Sequence, residues 1–425
     1  MRLQSIATLI LVSALTVGCA GVTASRPARE GNYEQMRAAI QDDLRHGRLS
    51  FGATQDLAYT VSKREIKVAK DAEAVRHIRL MKSCTRELSG PFEQRAGGSD
   101  RAAPIAAMAL LNVDRGSPGK WRSRLDSTDP DWRAVSVRTL TSKSDGENRR
   151  KAMVDHDQQV RMAAMLAAEK AKDPADRPVL LDAARHDPDG VIRVTAIRAL
   201  ARVATADDVS AMRDMWALAT PQVQQWLVAS WGFPNALEHG GGRYVLWVAE
   251  TQTGLPSIIA GGILMRIGGE MRGYGSAALF AGAQDGLATN RVLAIGMAPL
   301  QEEGWMELIN KLSQEAEPVV RVAALEKLVT HPKTREQAKE KLHESAKSKG
   351  PESAEAKQAM ARVGDRRVTG LLDVDAKSKD AAVRQATMRS FVALGDYARA
   401  SVFLADPVVT VRLNTACTLL LAGSR

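Results

Sequence analysis

The residues from which a reaction or a metal site would have to be built are few and scattered. The seven histidines are His46, His77, His156, His186, His239, His331 and His343. A zinc-binding helix needs two histidines four apart, on one face, with a carboxylate between them as general base. No such pair is present. His156 and His186 each precede an aspartate, thirty residues apart. That spacing fits a metal or acid–base site between adjacent turns of a repeat, or two equivalent positions that simply face solvent. Gly273-Tyr274-Gly275-Ser276 has no strand before it, so it lacks the context of a nucleophile elbow or phosphate loop. Cys84 has no histidine partner at motif level. Carboxylate pairs read as solvated helix faces or caps. The expectation is no catalytic residue, no metal and no cofactor: not an enzyme.

The elements that would position such groups repeat. Asp187-Pro188-Asp189-Gly190-Val191-Ile192-Arg193-Val194-Thr195-Ala196-Ile197-Arg198-Ala199-Leu200 recurs as Glu317-Pro318-Val319-Val320-Arg321-Val322-Ala323-Ala324-Leu325 and, more weakly, around Arg161, Arg384 and Arg412. Anchoring each unit on its basic position gives Arg76, Arg101, Arg133, Arg161, Arg193, Gln224, Ser257, Arg291, Arg321, Lys357, Arg384 and Arg412, spaced 25 to 36 residues apart. Arg76, Ser257 and Lys357 are placed mainly by spacing.

Each unit has a physical logic. The residue before the anchor is usually apolar, as in Val160, Ile192, Val320 and Val411, and so is the residue four after it, as in Met165, Ile197, Leu325 and Ala416. This period puts both on one helix face with the anchor off it. Gly261 is the exception. Ala163-Ala164 and Ala323-Ala324 let a neighbouring helix come close. Asp187-Pro188 and Asp406-Pro407 fit an N-cap with proline in the first turn. Some fifteen residues upstream of each such helix can hold a second one. One helix pair cannot bury its own apolar face, but stacked pairs can. The fold class is therefore all-α: an α-solenoid of about 11–12 stacked helix pairs of roughly 30 residues. Aromatics at 4% disfavour a sandwich or barrel.

The Asp-Pro…Val-Arg…Ala…Leu pattern resembles HEAT repeats, and more closely the short HEAT-like repeats of phycobilisome lyases, over about residues 70 to 425. The resemblance implies that the acidic residue six before the arginine pairs with a neighbouring arginine. Asp155/Arg161, Asp187/Arg193, Glu315/Arg321 and Asp406/Arg412 keep that spacing, and Ser127 and Ser378 depart from it. The resemblance specifies architecture and not function, and the lyase activity does not carry over.

The segment 216–305 departs from the pattern. It holds Trp216, Trp226, Trp231, Trp247 and Trp305, three glycine runs and both non-basic anchors. Tryptophan is enriched at binding hot spots, so these five form the candidate partner surface. The alternative is a bend whose wider helix gaps they fill. The net charge of +10 admits a surface for cell-wall or lipid polyanions, or arginines spent in internal rungs.

The N-terminus reads as an address. Leu3 to Val17 is a short apolar run, and Leu15-Thr16-Val17-Gly18-Cys19-Ala20 resembles a bacterial lipobox, with Thr16 where leucine is commonest. Cys19 would then carry the lipid anchor. The alternative is an ordinary secretory signal with Cys19 incidental. The expected organisation is a signal peptide over 1–18, a flexible tether over 19–32, a helical cap over 33–70 and the solenoid over 71–425. Cys84 and Cys417 sit near opposite ends of the chain, so in an extended solenoid they are two buried apolar groups out of disulfide range. No polar helix follows the last repeat, which leaves an open terminal face. The functional expectation is a lipid-anchored envelope scaffold that binds a protein partner without catalysis, facing the periplasm from the outer membrane, with no nucleic acid. The alternative is an electrostatic binder of polyanions.

Overall fold

In the computed structural model, residues 22–423 are described, and the expected signal segment with Cys19 lies outside them. Every one of the twelve anchors lies in a helix of one row, or at its N-cap in the case of Arg101. The row comprises Asp71–Leu80, Ala102–Asn112, Pro130–Arg138, Gln158–Ala171, Gly190–Ala201, Pro221–Trp231, Gly254–Ile267, Ala288–Met297, Pro318–Val329, Glu352–Arg362, Ala381–Ala393 and Val409–Ala422. Each packs on the next, and a second row of helices lies against the first. Among the described residues there is no strand, and no helix is long and apolar enough to cross a membrane. The fold is an all-α solenoid.

The apolar pairs that flank each anchor are the core. Val160 and Met165, Ile192 and Ile197, Val320 and Leu325, and Val411 and Ala416 are all buried. At Asp187-Pro188 and Asp406-Pro407 the helix starts two residues later than the pattern suggests. Asp187 is not the N-cap; Asp189 is, accepting the backbone N–H groups of Val191 and Ile192. Asp187 instead turns the chain by accepting from Asp189 N, which leaves its other carboxylate oxygen for the neighbouring unit. Asp406 does the same with Val408 N.

The solenoid closes on itself. The last row helix, Val409–Ala422, packs against the Phe51–Val68 helix and against Asp71–Leu80, the first helix of the row. Gln55 Nε2 donates to the carbonyls of Leu419 and Leu420, Arg37 Nη2 donates to the carbonyl of Ala405 at 3.0 Å, and Phe51 lies 4.4 Å from the Tyr397 ring. The terminal face that looked open is thus covered by the N-terminal helices. Closure also corrects the reading of the cysteines. Cys84 and Cys417 form a disulfide with Cα atoms 5.4 Å apart, 333 residues apart in sequence. They meet because the row bends round until its ends touch, whereas the extended geometry assumed from sequence would hold them apart.

The described part of the expected tether is not free either. Ser25–Glu30 is helical and Ala24 and Ala28 are fully buried, because the helix lays its small residues against Phe51–Val68. Residues 33–70 form Tyr33–Arg45 and Phe51–Val68, which join the two ends of the row.

Candidate partner-binding groove

The arginines of the row form a ladder. Arg133, Arg161, Arg193, Arg291, Arg321, Arg384 and Arg412 each donate Nη1 to the backbone carbonyls six and five residues back. The guanidinium fork then has Nε and Nη2 left for the next unit. Arg133 reaches Asp155 at 3.2 Å, Arg161 reaches Asp187 at 2.8 Å, Arg291 reaches Glu315 at 3.4 Å, Arg321 reaches Glu352 at 3.7 Å and Arg384 reaches Asp406 at 2.6 Å. The acid therefore pairs with the arginine of the unit before it. Where serine replaces it, at Ser127 and Ser378, the carbonyl bonds persist without a carboxylate. The hydrogen bond that Arg161 donates to Asp187 raises the Arg161 pKa, and the one that Arg384 donates to Asp406 raises that of Arg384. These rungs pair arginines with acids one for one, so they leave the net charge of +10 unchanged.

A second ladder on the other row was missed. Arg149 is fully buried and saturated: Nε meets Asp176 at 2.7 Å, Nη2 meets Asp173 at 3.0 Å, and Nη1 meets the carbonyls of Leu140 and Ser142. Arg177 pairs with Asp208 at 2.7 Å and Arg122 with Asp145. The signal was there, as capping boxes at Ser142-x-x-Asp145 and Thr205-x-x-Asp208, with Asp173-x-x-Asp176 between them at the repeat spacing.

Three of the five tryptophans, Trp216, Trp231 and Trp305, belong to the core and present no partner surface. Trp231 and Trp305 are fully buried or nearly so, and Trp216 is 7% exposed. Trp216 stacks on Trp231 with centroids 5.9 Å apart and meets Trp247 edge-on at 5.3 Å. Trp305 packs on Phe280 and donates Nε1–H to Ser276 Oγ at 2.9 Å. Gly273-Tyr274-Gly275-Ser276 lies within the helix Met271–Gly282, so the glycine–serine run is no loop. The glycines serve close approach: a Cβ on Gly275 would sit 2.8 Å from the carbonyl oxygen of Gly261 on the facing helix. Trp226 and Trp247 are half-buried, the first under Arg198 at 5.2 Å and the second under Arg213 at 3.9 Å. His156 and His186 are exposed; His156 meets its neighbour Asp155 and, at 3.5 Å, Arg133 of the preceding row helix, while His186 pairs with Asp182. Among the described residues no metal-holding cluster occurs.

What remains is the inner surface of the first row. Lys170 pairs with Asp114, reaching past the Arg133 helix that separates their units. A contact that skips a unit fits the concave side of a curve, where the units converge, and the intervening Pro130–Arg138 helix is short enough for Lys170 to pass its end. Two cavities of about 420 and 540 Å³ sit there side by side, both touching Asn112. Ile105, Met108 and Leu166 give them apolar patches, and Arg79, Lys82, Arg138, Lys172, Arg198 and Arg202 a basic rim. Arg198 binds both oxygens of Glu169 at 3.1 and 3.0 Å. Arg138 is buried and has a neutral partner, donating Nε–H to Asn112 Oδ1 at 3.1 Å, and burial lowers its pKa. Burial raises the Asp131 pKa at the other end, with Asp129 and Asp157 adding to it. The arrangement offers apolar contact, a buried cation and exposed cations along a strip of helices.

Residues 119–201 match the family model for HEAT repeats. No curated protein matches the sequence significantly. Among solved structures, the X-ray structure of E. coli YibA is 12% identical with a TM-score of 0.33, over 70% of this chain and 98% of that one. Kap121p bound to Pho4p is 14% identical with a TM-score of 0.36, over 86% of this chain and 48% of that one. An engineered protein is 15% identical with a TM-score of 0.26, over 88% and 99%.

Proposed function

We propose that this chain, built of HEAT-like repeats, is a non-catalytic ring-shaped scaffold that binds a protein partner along the concave groove between the Arg76 and Arg193 helices. The single observation that carries the reading is the groove itself, apolar at Ile105, Met108 and Leu166 and rimmed by arginine and lysine. Such a strip suits an extended segment that carries apolar and acidic residues. The proposed place of action is the bacterial envelope, with Cys19 lipid-anchored to the outer membrane and the ring in the periplasm. The Cys84–Cys417 disulfide supports an oxidising compartment, since such bonds are rare in a reducing cytosol.

The test is capture from solubilised envelope by the chain lacking residues 1–19, washed at low and then moderate salt. The reading expects one defined protein, retained through the wash. It should be lost with Met108→Glu or Arg138→Gln and kept with Val374→Glu, an exposed site on the other row. Capture of polyanions alone, released by salt and indifferent to Met108, would transfer the function to the arginine-rich faces. Fatty-acid labelling of the full chain, lost in Cys19→Ala, tests the anchor separately.

A further inference from the structure

The ladder has one vacancy. Seven arginines make the paired carbonyl bonds; five of them go on to a carboxylate of the following unit, and Arg412 goes on to Glu65 of the Phe51–Val68 helix. Arg193 does not. It donates Nη1 to the carbonyls of Asp187 and Pro188 at 2.7 and 3.5 Å, and no ion pair follows among the described residues. The residue in ladder register, six before anchor Gln224, is Leu218. Leu218 projects into solvent, 94% exposed. In place of a carboxylate stands a cavity of about 410 Å³, lined by Arg193, Arg185, Met215, Leu218 and Val223. Asp214 lines it too, but makes no ion pair with Arg193. His186 at its edge is paired with Asp182.

We infer that this cavity is a docking site for a protein segment carrying a carboxylate beside an apolar residue. The carboxylate completes the rung on Arg193 Nε and Nη2, as Asp187 does on Arg161 at 2.8 and 3.3 Å. The apolar neighbour covers Leu218, Met215 and Val223. Carboxylate is the chemistry chosen because every completed rung uses one and the fork is preset by its carbonyl bonds. A peptide is chosen over a free anion because Leu218 gives an apolar contact that a bare anion leaves bare. This site lies at the repeat edge, apart from the concave groove, and does not depend on it.

The probe is acetyl-Leu-Asp-Leu-amide, followed by saturation-transfer NMR on the chain lacking residues 1–19. The expected result is saturation of the leucine methyls, at least tenfold weaker with the Asn peptide, with Arg193→Gln and with Leu218→Asp. In Leu218→Asp the chain supplies its own carboxylate and fills the rung. Leu218→Asn, which loses the apolar contact but leaves Arg193 open, should retain more binding than Leu218→Asp. No saturation by the Asp peptide, equal saturation by the Asn peptide, or unchanged binding in Arg193→Gln or Leu218→Asp would overturn the site. So would displacement of the peptide by an equal concentration of acetate.

Discussion

Arg412 and Glu65 are 347 residues apart in sequence and 3.4 Å apart in the fold. Arg412 is the last arginine of the ladder among the described residues. Its carboxylate comes from the helix Phe51–Val68, so this rung is the one that shuts the ring. Tyr33 lies over the guanidinium at 4.0 Å and donates its hydroxyl to the same carboxylate.

Glu65→Gln strands the buried Arg412 guanidinium and should cost about 3–5 kcal/mol, whereas Arg412→Gln should cost less because Glu65 keeps Arg64 at 3.5 Å; Glu65→Gln with Arg412→Met should cost less than the two together. Denaturant titration of the three variants reads this out. Hydrogen exchange should rise first in Phe51–Val68 and Val409–Ala422.

The disulfide closes a loop of nearly the whole chain. Cys417→Ser should lower stability by about 2–5 kcal/mol, and reduction should do the same to the parent and nothing further to the variant. The check is urea unfolding with and without reductant.

The tryptophans test core against surface. Trp231→Ala and Trp305→Ala should each cost about 3–5 kcal/mol without any specific effect on a partner. Trp226→Ala should cost less, since that ring is half-exposed. Thermal unfolding beside a binding assay separates the outcomes.

Two pH limits follow from the closure and the ladder. Burial, then the Glu65 hydrogen bond, push the Tyr33 hydroxyl up to about 12. A raised folded pKa means its stabilisation is complete below about pH 10 and is lost as pH climbs toward about 12. Tyr33→Phe should remove that alkaline slope. Burial would raise the Asp155 pKa, but the Asp157 N–H and Arg133 outweigh it and hold the carboxyl below its ordinary value of 3.8. Its stabilisation is present above the unfolded value, lost as pH falls below about 4, and absent from Asp155→Asn. Unfolding midpoints across pH check both.

Much of this was legible because each unit solves the same problem. The anchor, its apolar flanks and the acid six back recur wherever a helix must meet its neighbour, and the resemblance to HEAT-like repeats implied that Asp187 pairs with a neighbouring arginine, which proves to be Arg161. Closure had no such local signature. Its only traces were a C-terminus without a polar cap and one cysteine near each end, and an assumed straight geometry turned the second against itself. The tryptophan-rich segment stood out in composition, yet composition gives the volume to be filled and not the side it faces, so a partner surface and a filled bend both stayed open until burial put Trp231 and Trp305 in the core. The groove at Met108 and Arg138 depends on curvature, which no single repeat encodes.

The central claim is that the row of helices closes. Twelve helices at 8–10 Å spacing would extend about 100–120 Å if the row were open. Small-angle X-ray scattering of the monomeric chain lacking residues 1–19, measured as it leaves a sizing column, decides the matter. The closed ring predicts a maximum dimension well short of that span. A particle as long as the open row, with the profile of an extended superhelix, would contradict it.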